Sequence, residues 1–248
     1  MKRKILGTCA AAVILVSLPP IAAGQQVPRN LAAAVASAER PEADKARDAD
    51  RKPAEMLAFA GVRPGWKVAE LAPGGGYFTR LLSLMVGERG YVYTTTTRPA
   101  PAVTTWAQSH PNVSLARMIP GEALAPEPLD LVWTTQNYHD FKNQTVGQDD
   151  VAALTNRAAF AALKPGGVYL IGDHQGAPGT GATETKTLHR IEDATVIREV
   201  EAAGFQFVRR GTMLRHPADD HTQKVFETGV RGKTDQFVLL FRKPRTTR

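Results

Sequence analysis

The run Glu70-Leu71-Ala72-Pro73-Gly74-Gly75-Gly76-Tyr77 carries the residue types needed to hold a nucleotide-like cofactor. An apolar stretch ends in an acidic residue, three glycines follow, and a second apolar segment begins. Glycine tolerates positive φ and lets a ligand approach the backbone closely. A helix starting after it aims unpaired N–H groups and a positive dipole end at that ligand. A second constellation is Asn137-Tyr138-His139-Asp140. The imidazole of His139 titrates near neutrality, as a general base should; Asp140 can orient the ring and Asn137 can hold a ligand. The same His139 and Asp140 would equally serve to tie the following loop to its neighbours. Asp173-His174, His216 and Asp219-Asp220-His221 add groups that suit divalent ions. None has the spacing of a recognised metal motif, and aspartates in loops are commonly caps and turns. No metal ligand is assigned.

These residues need elements to position them. Pro53 suits the first turn of a helix through Ala60, closed by Gly61. Trp66–Leu71 reads as the first strand, Phe78–Val86 as a helix, Gly90–Thr95 as a strand and Thr104–Ser109 as a short helix. Val113–Met118 and Leu129–Thr134 read as strands, the latter buried, and Val151–Leu163 as a helix with apolar positions at 151, 154, 158 and 162. Lys164-Pro165-Gly166-Gly167 is a turn into strand Val168–Gly172, and Glu192–Ala203 is a helix closed by Gly204. Two strands, near Phe205–Thr212 and Gln236–Phe241, end the chain with no helical segment between them, which predicts an antiparallel hairpin. Alternation of strand and helix predicts an α/β fold: a Rossmann-like, doubly wound, mostly parallel seven-stranded sheet. The predicted glycine loop and the Asn137–Asp140 segment then both fall at strand ends that face one crevice. Trp133, inside a buried strand, is expected in the core; Tyr77 is placed either in the cleft or in the core.

The chain has 248 residues, 43% of them apolar, which fits one α/β domain over residues 52–244. Residues 1–24 read as a signal peptide. Lys2-Arg3-Lys4 is basic, Ile5 to Leu18 is apolar, and Ala22-Ala23-Gly24 offers small residues for cleavage before Gln25. That segment is too short for a stable spanning helix, and the alternative to a cleaved signal is an uncleaved anchor; after cleavage no stable membrane insertion is expected, and the location is periplasmic or secreted. The sole cysteine, Cys9, lies in this segment, and a thiol-free mature chain suits an oxidising compartment. Residues 25–51, polar and alanine-rich with Pro28 and Pro41, read as a flexible lead-in with a short helix near Leu31–Ala38. The net charge of +7 includes three positive charges at residues 2–4, leaving +4 scattered over the remainder. Scattered charge argues against a nucleic-acid partner. The oligomeric state is not legible.

Over roughly Lys52 to Pro244 the chain resembles the class I S-adenosylmethionine-dependent methyltransferases, and more narrowly a bacterial, often exported, group of predicted methyltransferases. Glu70 to Tyr77, Asn137 to Asp140, and Leu214-Arg215-His216-Pro217-Ala218-Asp219-Asp220-His221 carry the narrower likeness. The class I motif is acidic-x-Gly-x-Gly-x-Gly; Glu70, Gly74 and Gly76 fit it and Ala72 replaces the first glycine. The resemblance implies that Glu70, Ala72, Pro73, Gly74, Gly75, Gly76 and Tyr77 surround the methionine half of S-adenosylmethionine. It also implies that Thr96 meets the ribose, Met118 packs on adenine, Asn137 holds the methionine carboxylate, and His139 with Asp140 deprotonates the acceptor.

Two departures bear on this. The family usually has an acid after strand two for the ribose hydroxyls and another after strand three near adenine; here stand Thr94-Thr95-Thr96-Thr97-Arg98 and Arg117-Met118-Ile119-Pro120. A threonine followed by arginine is what an NADP-binding domain offers a 2′-phosphate, but the dinucleotide fingerprint fails because Thr79 stands at its third glycine. The expected function is methyl transfer to a small acceptor. The alternative is an exported protein that uses the fold, without catalysis, to bind a nucleotide or metabolite.

Overall fold

The structure, a computed structural model, describes residues 29–245. The expected signal peptide and Cys9 lie outside the described residues. Helices are α1 (Arg29–Ala36), α2 (Glu42–Lys45), α3 (Asp48–Arg51), α4 (Pro53–Ala60), α5 (Tyr77–Val86), α6 (Pro101–Ser109), α7 (Tyr138–Lys142), α8 (Val151–Ala162) and α9 (Asp193–Ala202). The main strands are β1 (Lys67–Leu71), β2 (Tyr91–Thr96), β3 (Val113–Arg117), β4 (Leu129–Thr135), β5 (Leu163–His174), β6 (Gln206–Gly211) and β7 (Gln236–Arg242). They form one sheet in the order β3-β2-β1-β4-β5-β7-β6. The first five are parallel; β7 runs antiparallel to both β5 and β6, giving the expected terminal hairpin.

Successive strand residues point to opposite faces, and both faces are buried. Trp133, Leu170, Val238 and Leu240 pack under α1, α4, α5 and α6, while Val132, Tyr169, Ile171, Leu239 and Phe241 pack under α7, α8 and α9. Trp133 is fully buried against Phe78, with ring centroids 4.8 Å apart. The Lys164–Gly167 turn is a break in the pairing of β4 with β5: Leu163 faces Leu129, yet Val168 faces Leu131. In α8 the buried residues are Val151, Ala152, Thr155, Asn156, Ala158 and Ala159; of the expected apolar positions 151 and 158 are buried and 154 and 162 half-buried, and Asn156 donates to the Tyr138 hydroxyl at 2.8 Å. No helix among the described residues is long and apolar enough to cross a membrane.

Residues 29–51 differ from the flexible lead-in expected. Leu31 and Ala34 join the core beneath α1, and Arg40 and Asp44 are buried. Arg40 makes a two-pronged pair with Asp48 at 2.6 and 2.9 Å, and Asp48 also accepts the Tyr77 hydroxyl at 2.6 Å. Arg80 Nε donates to Asp44 at 2.6 Å. The segment docks through charge-assisted hydrogen bonds rather than an apolar stripe, so hydrophobic pattern alone does not reveal it.

Candidate functional site: a cofactor crevice and a buried histidine cluster

The crevice is built where β1, β2 and β4 end. The chain leaves β1 through Ala72 at φ 53, Gly74 at φ 56 and Gly76 at φ 79, all left-handed, and enters α5 at Tyr77. Gly74 and Gly75 are exposed, and a Cβ at Gly74 would meet no protein atom within 4 Å. Gly76 is buried instead: a Cβ there would stand 2.9 Å from Arg80 Nη1 and Val103 Cγ2. Asn137 Nδ2 donates to the Ala72 carbonyl at 3.1 Å and to Thr135 O at 2.6 Å, tying the end of β4 to the loop. Between these runs a cavity of about 170 Å³ lined by Ala72, Gly74, Thr96, Asn137, Asp140 and Phe141, with Thr97 to Ala100 and Gln144 completing its wall.

The other expected residues are distributed around that cavity. Pro73 closes the loop turn by accepting the Gly76 N–H at 2.9 Å. Glu70 is buried beneath the loop, where its Oε2 accepts the Thr79 hydroxyl at 2.5 Å. Burial pushes its carboxyl pKa up to about 7, against the opposing pull of Thr79, Arg80 and Arg51. It therefore orders the first turn of α5 from below and does not line the crevice. Thr96 lines it, with its hydroxyl accepting the Arg98 N–H at 3.1 Å. Tyr77 takes the second of its two expected places, the core rather than the cleft, and Met118 departs from its expected one. Tyr77 is buried on the far side, under Arg40, Arg47 and Arg51, because its phenol is drawn to Asp48. Met118 is buried in the core with Leu124 and Leu129 and does not line the cavity.

His139 also sits differently from a crevice base. Its side chain is 3% exposed, Nδ1 lies 2.7 Å from Asp173 Oδ1, and its backbone N–H donates to Asp173 Oδ2 at 2.8 Å. Nε2 faces His189 Nδ1 at 3.2 Å, closing the ring off from the cavity. Burial works against the charged imidazole, but the Asp173 carboxylate outweighs it and holds His139 above the usual histidine pKa. Asp173, though buried, is held below the usual carboxylate range by His139. The residue that orients His139 is thus Asp173, at the end of β5, and not Asp140, whose Oδ1 lies 3.5 Å from Nε2. His189 is shifted down by burial and by the neighbouring His139. His174, buried with Nδ1 against Thr234 Oγ1 at 2.8 Å, is driven by burial to about 4 and is neutral at physiological pH.

On the other side of the β4 terminus lies a larger cavity of about 430 Å³, lined by Arg47, Arg51, Gln136, His174, Phe226 and Arg231 among others. Gln136 holds φ 61, bonded to Arg51 and Gln236, so that consecutive residues Gln136 and Asn137 line different cavities. Non-glycine residues in left-handed conformations concentrate at functional sites. The late Asp/His cluster is scaffolding. Asp219 takes both prongs of buried Arg190, and Asp235 accepts from Arg215 Nε and the His216 amide while pairing with His221 Nε2. His189, Arg47 and Arg51 carry no local sequence signal; chain topology alone brings them here.

The strand order, with its antiparallel edge hairpin and the left-handed glycine loop after β1, defines a Rossmann-like α/β fold of the kind that solved S-adenosylmethionine-dependent methyltransferases share. No family model matches the chain, and no curated protein sequence matches it. Among solved structures, it is similar to a SAM-dependent methyltransferase from Aquifex aeolicus, with 18% identity and a TM-score of 0.55 over 82% of this chain and 98% of that one. It is also similar to the N-methyltransferase NodS from Bradyrhizobium japonicum, with 16% identity and a TM-score of 0.54 over 84% and 99% of the two chains. A third likeness is to Aeropyrum pernix fibrillarin in complex with S-adenosyl-L-methionine, at 16% identity and 0.51 over 79% and 76%.

Proposed function

We propose that this chain is an S-adenosylmethionine-dependent methyltransferase acting on a small acceptor, exported to the periplasm by residues 1–24. The observation that carries the reading is the Ala72–Gly76 loop: three left-handed residues, exposed glycine backbone, and Asn137 tied across it at the mouth of α5. In this reading Gly74 and Gly75 lie against the methionine half of the cofactor, Thr96 meets the ribose, and Pro99, Ala100 and Phe141 supply apolar wall. Methyl transfer asks the protein chiefly to align the acceptor with the sulfonium. The larger cavity receives that acceptor. Arg51, Arg47 and Arg231 line this cavity with one carboxylate, Asp50, so that cationic side chains outnumber anionic ones there, which fits an anionic group on the acceptor.

The second reading, a binding protein without catalysis, is favoured by Thr96. Its hydroxyl lacks the charge that strengthens a ribose hydrogen bond and already accepts from Arg98. Titration of the protein with S-adenosylmethionine and with its demethylated product tests the cofactor, and a screen for methylated product then separates enzyme from binder. Absence of binding by either compound overturns both readings as they concern this cofactor. Export is tested separately: protein recovered from the periplasm should begin near Gln25, and intact chain found only in the cytosol overturns it.

A further inference from the structure

His139, Asp140 and His189 bring two imidazole nitrogens and a carboxylate oxygen to one point. His139 Nε2 lies 3.2 Å from His189 Nδ1, and each of these nitrogens lies 3.5 Å from Asp140 Oδ1. The two longer separations exceed ordinary hydrogen-bond distances. They match the spacing of ligands around one ion, since tetrahedral bonds of about 2.0–2.1 Å set neighbouring ligands about 3.3–3.4 Å apart.

A second observation is independent of that triangle. Fully buried Asp173 takes the Nδ1 side of His139 at 2.7 Å, so the Nδ1–H is committed and Nε2 is the nitrogen that faces the triangle, where a cation would take the place of its proton. A carboxylate behind an imidazole in this way is the usual support of a metal-bound histidine, fixing its tautomer and its orientation. His189 is also held for the purpose. Its backbone takes φ 56, uncommon for a non-glycine residue, and its ring is backed edge-on by Phe226 at 4.8 Å.

We propose that His139, Asp140 and His189 form a binding site for a divalent transition cation of the zinc type, with Asp173 as the positioning residue behind His139. Two imidazoles and one carboxylate favour zinc, cobalt, nickel or iron over magnesium and calcium, which take oxygen ligands. Three protein ligands leave one position open for water or a ligand atom, the arrangement of reactive rather than purely structural sites. Asp140 also lines the crevice, so the cation stands at its edge. The proposal does not depend on the methyl-transfer reading, because cation binding is measured with no S-adenosylmethionine present.

The test uses untagged, chelator-stripped protein titrated with Zn²⁺ in competition with a chromophoric chelator, and with Co²⁺ followed by its visible absorption. One equivalent of Zn²⁺ should bind, Mg²⁺ should not compete, and Co²⁺ should give the intense bands of a tetrahedral site. Asp173→Asn should weaken Zn²⁺ binding by about 10–100-fold, as loss of a supporting carboxylate does, and Asp140→Asn and His189→Asn by more. Asparagine tolerates the left-handed backbone at position 189, and Asp140 is only half-buried, so both variants should keep the wild-type circular dichroism and melting profile. Failure of the wild-type chain to bind one equivalent at micromolar concentration overturns the proposal. So does binding that is unchanged in folded His189→Asn and Asp140→Asn.

Discussion

Asp44 Oδ2 accepts from Arg80 Nε at 2.6 Å, and the same guanidinium donates through Nη2 to the Gly75 carbonyl at 2.7 Å. One arginine therefore joins the short α2 helix to the glycine loop, and the segment before α4 becomes part of the crevice's support. Both side chains are less than a tenth exposed. Removing one partner of a buried pair leaves an uncompensated charge and typically costs about 3–5 kcal/mol. Asp44→Ala should therefore lower stability in chemical denaturation by roughly that amount, and it should weaken S-adenosylmethionine binding in the fraction that stays folded. A loss below about 1 kcal/mol, the scale of a surface pair, would mean that the segment is dispensable to the loop.

Gly74 and Gly76 should respond differently to the same kind of substitution. Gly74 opens onto solvent and the crevice, so Gly74→Val meets only the left-handed backbone penalty, about 1–2 kcal/mol. The folded variant should lose cofactor binding because its side chain occupies the ligand's approach. Gly76→Ala drives a methyl into Arg80 and Val103, so its main effect should be a lower melting temperature. Equal cofactor affinity in wild-type and folded Gly74→Val protein would show that the loop does not hold the ligand.

Ala72 supplies the converse experiment. It stands where the class I motif has its first glycine, and the backbone there keeps φ 53 even with a side chain attached. Glycine adopts this conformation without the Cβ penalty. Ala72→Gly should stabilise the fold by up to about 1 kcal/mol, raising the melting temperature by a few degrees. A destabilised variant would mean that the half-buried methyl contributes more by packing than the strain removes.

Most of the fold was legible because the apolar runs Leu131–Trp133, Val168–Ile171 and Phe237–Phe241 mark β4, β5 and β7, and Pro53, Gly61 and Gly204 mark helix ends. The glycine loop was legible for the same local reason, since left-handed backbone leaves its signature in residue type. What stayed hidden depends on partners distant in sequence. Arg40 and Asp44 look like solvated charges until Asp48 and Arg80 are brought beside them. His139 reads as an available base until Asp173 and His189, 34 and 50 residues further on, close around its two nitrogens. Met118 follows the expected strand edge, but its side chain packs in the core with Leu124 and Leu129.

Glu70 makes a prediction about pH. Its carboxyl is buried beneath the loop and titrates near 7 in the folded protein, against 4.5 ordinarily, chiefly because burial disfavours the charged form. The folded chain thus holds this proton more tightly than the unfolded chain does. The resulting stabilisation is fully present below about pH 4.5 and is lost as the pH rises through about 7. A shift of this size corresponds to on the order of 3 kcal/mol. Glu70→Gln keeps the shape and the acceptor oxygen for Thr79 while removing the ionisation. Other groups also titrate in this window, so the informative quantity is the difference in unfolding free energy between wild type and Glu70→Gln, measured from pH 5 to pH 8. Relative to wild type, the variant should gain stability as the pH rises from 5 to about 7 and level off above it, by up to roughly 3 kcal/mol in all. A difference that does not change with pH would mean that Glu70 is ionised in the folded state throughout, held so by Arg80 and Arg51, and that its negative charge, rather than a neutral hydrogen-bonded carboxyl, orders the first turn of α5.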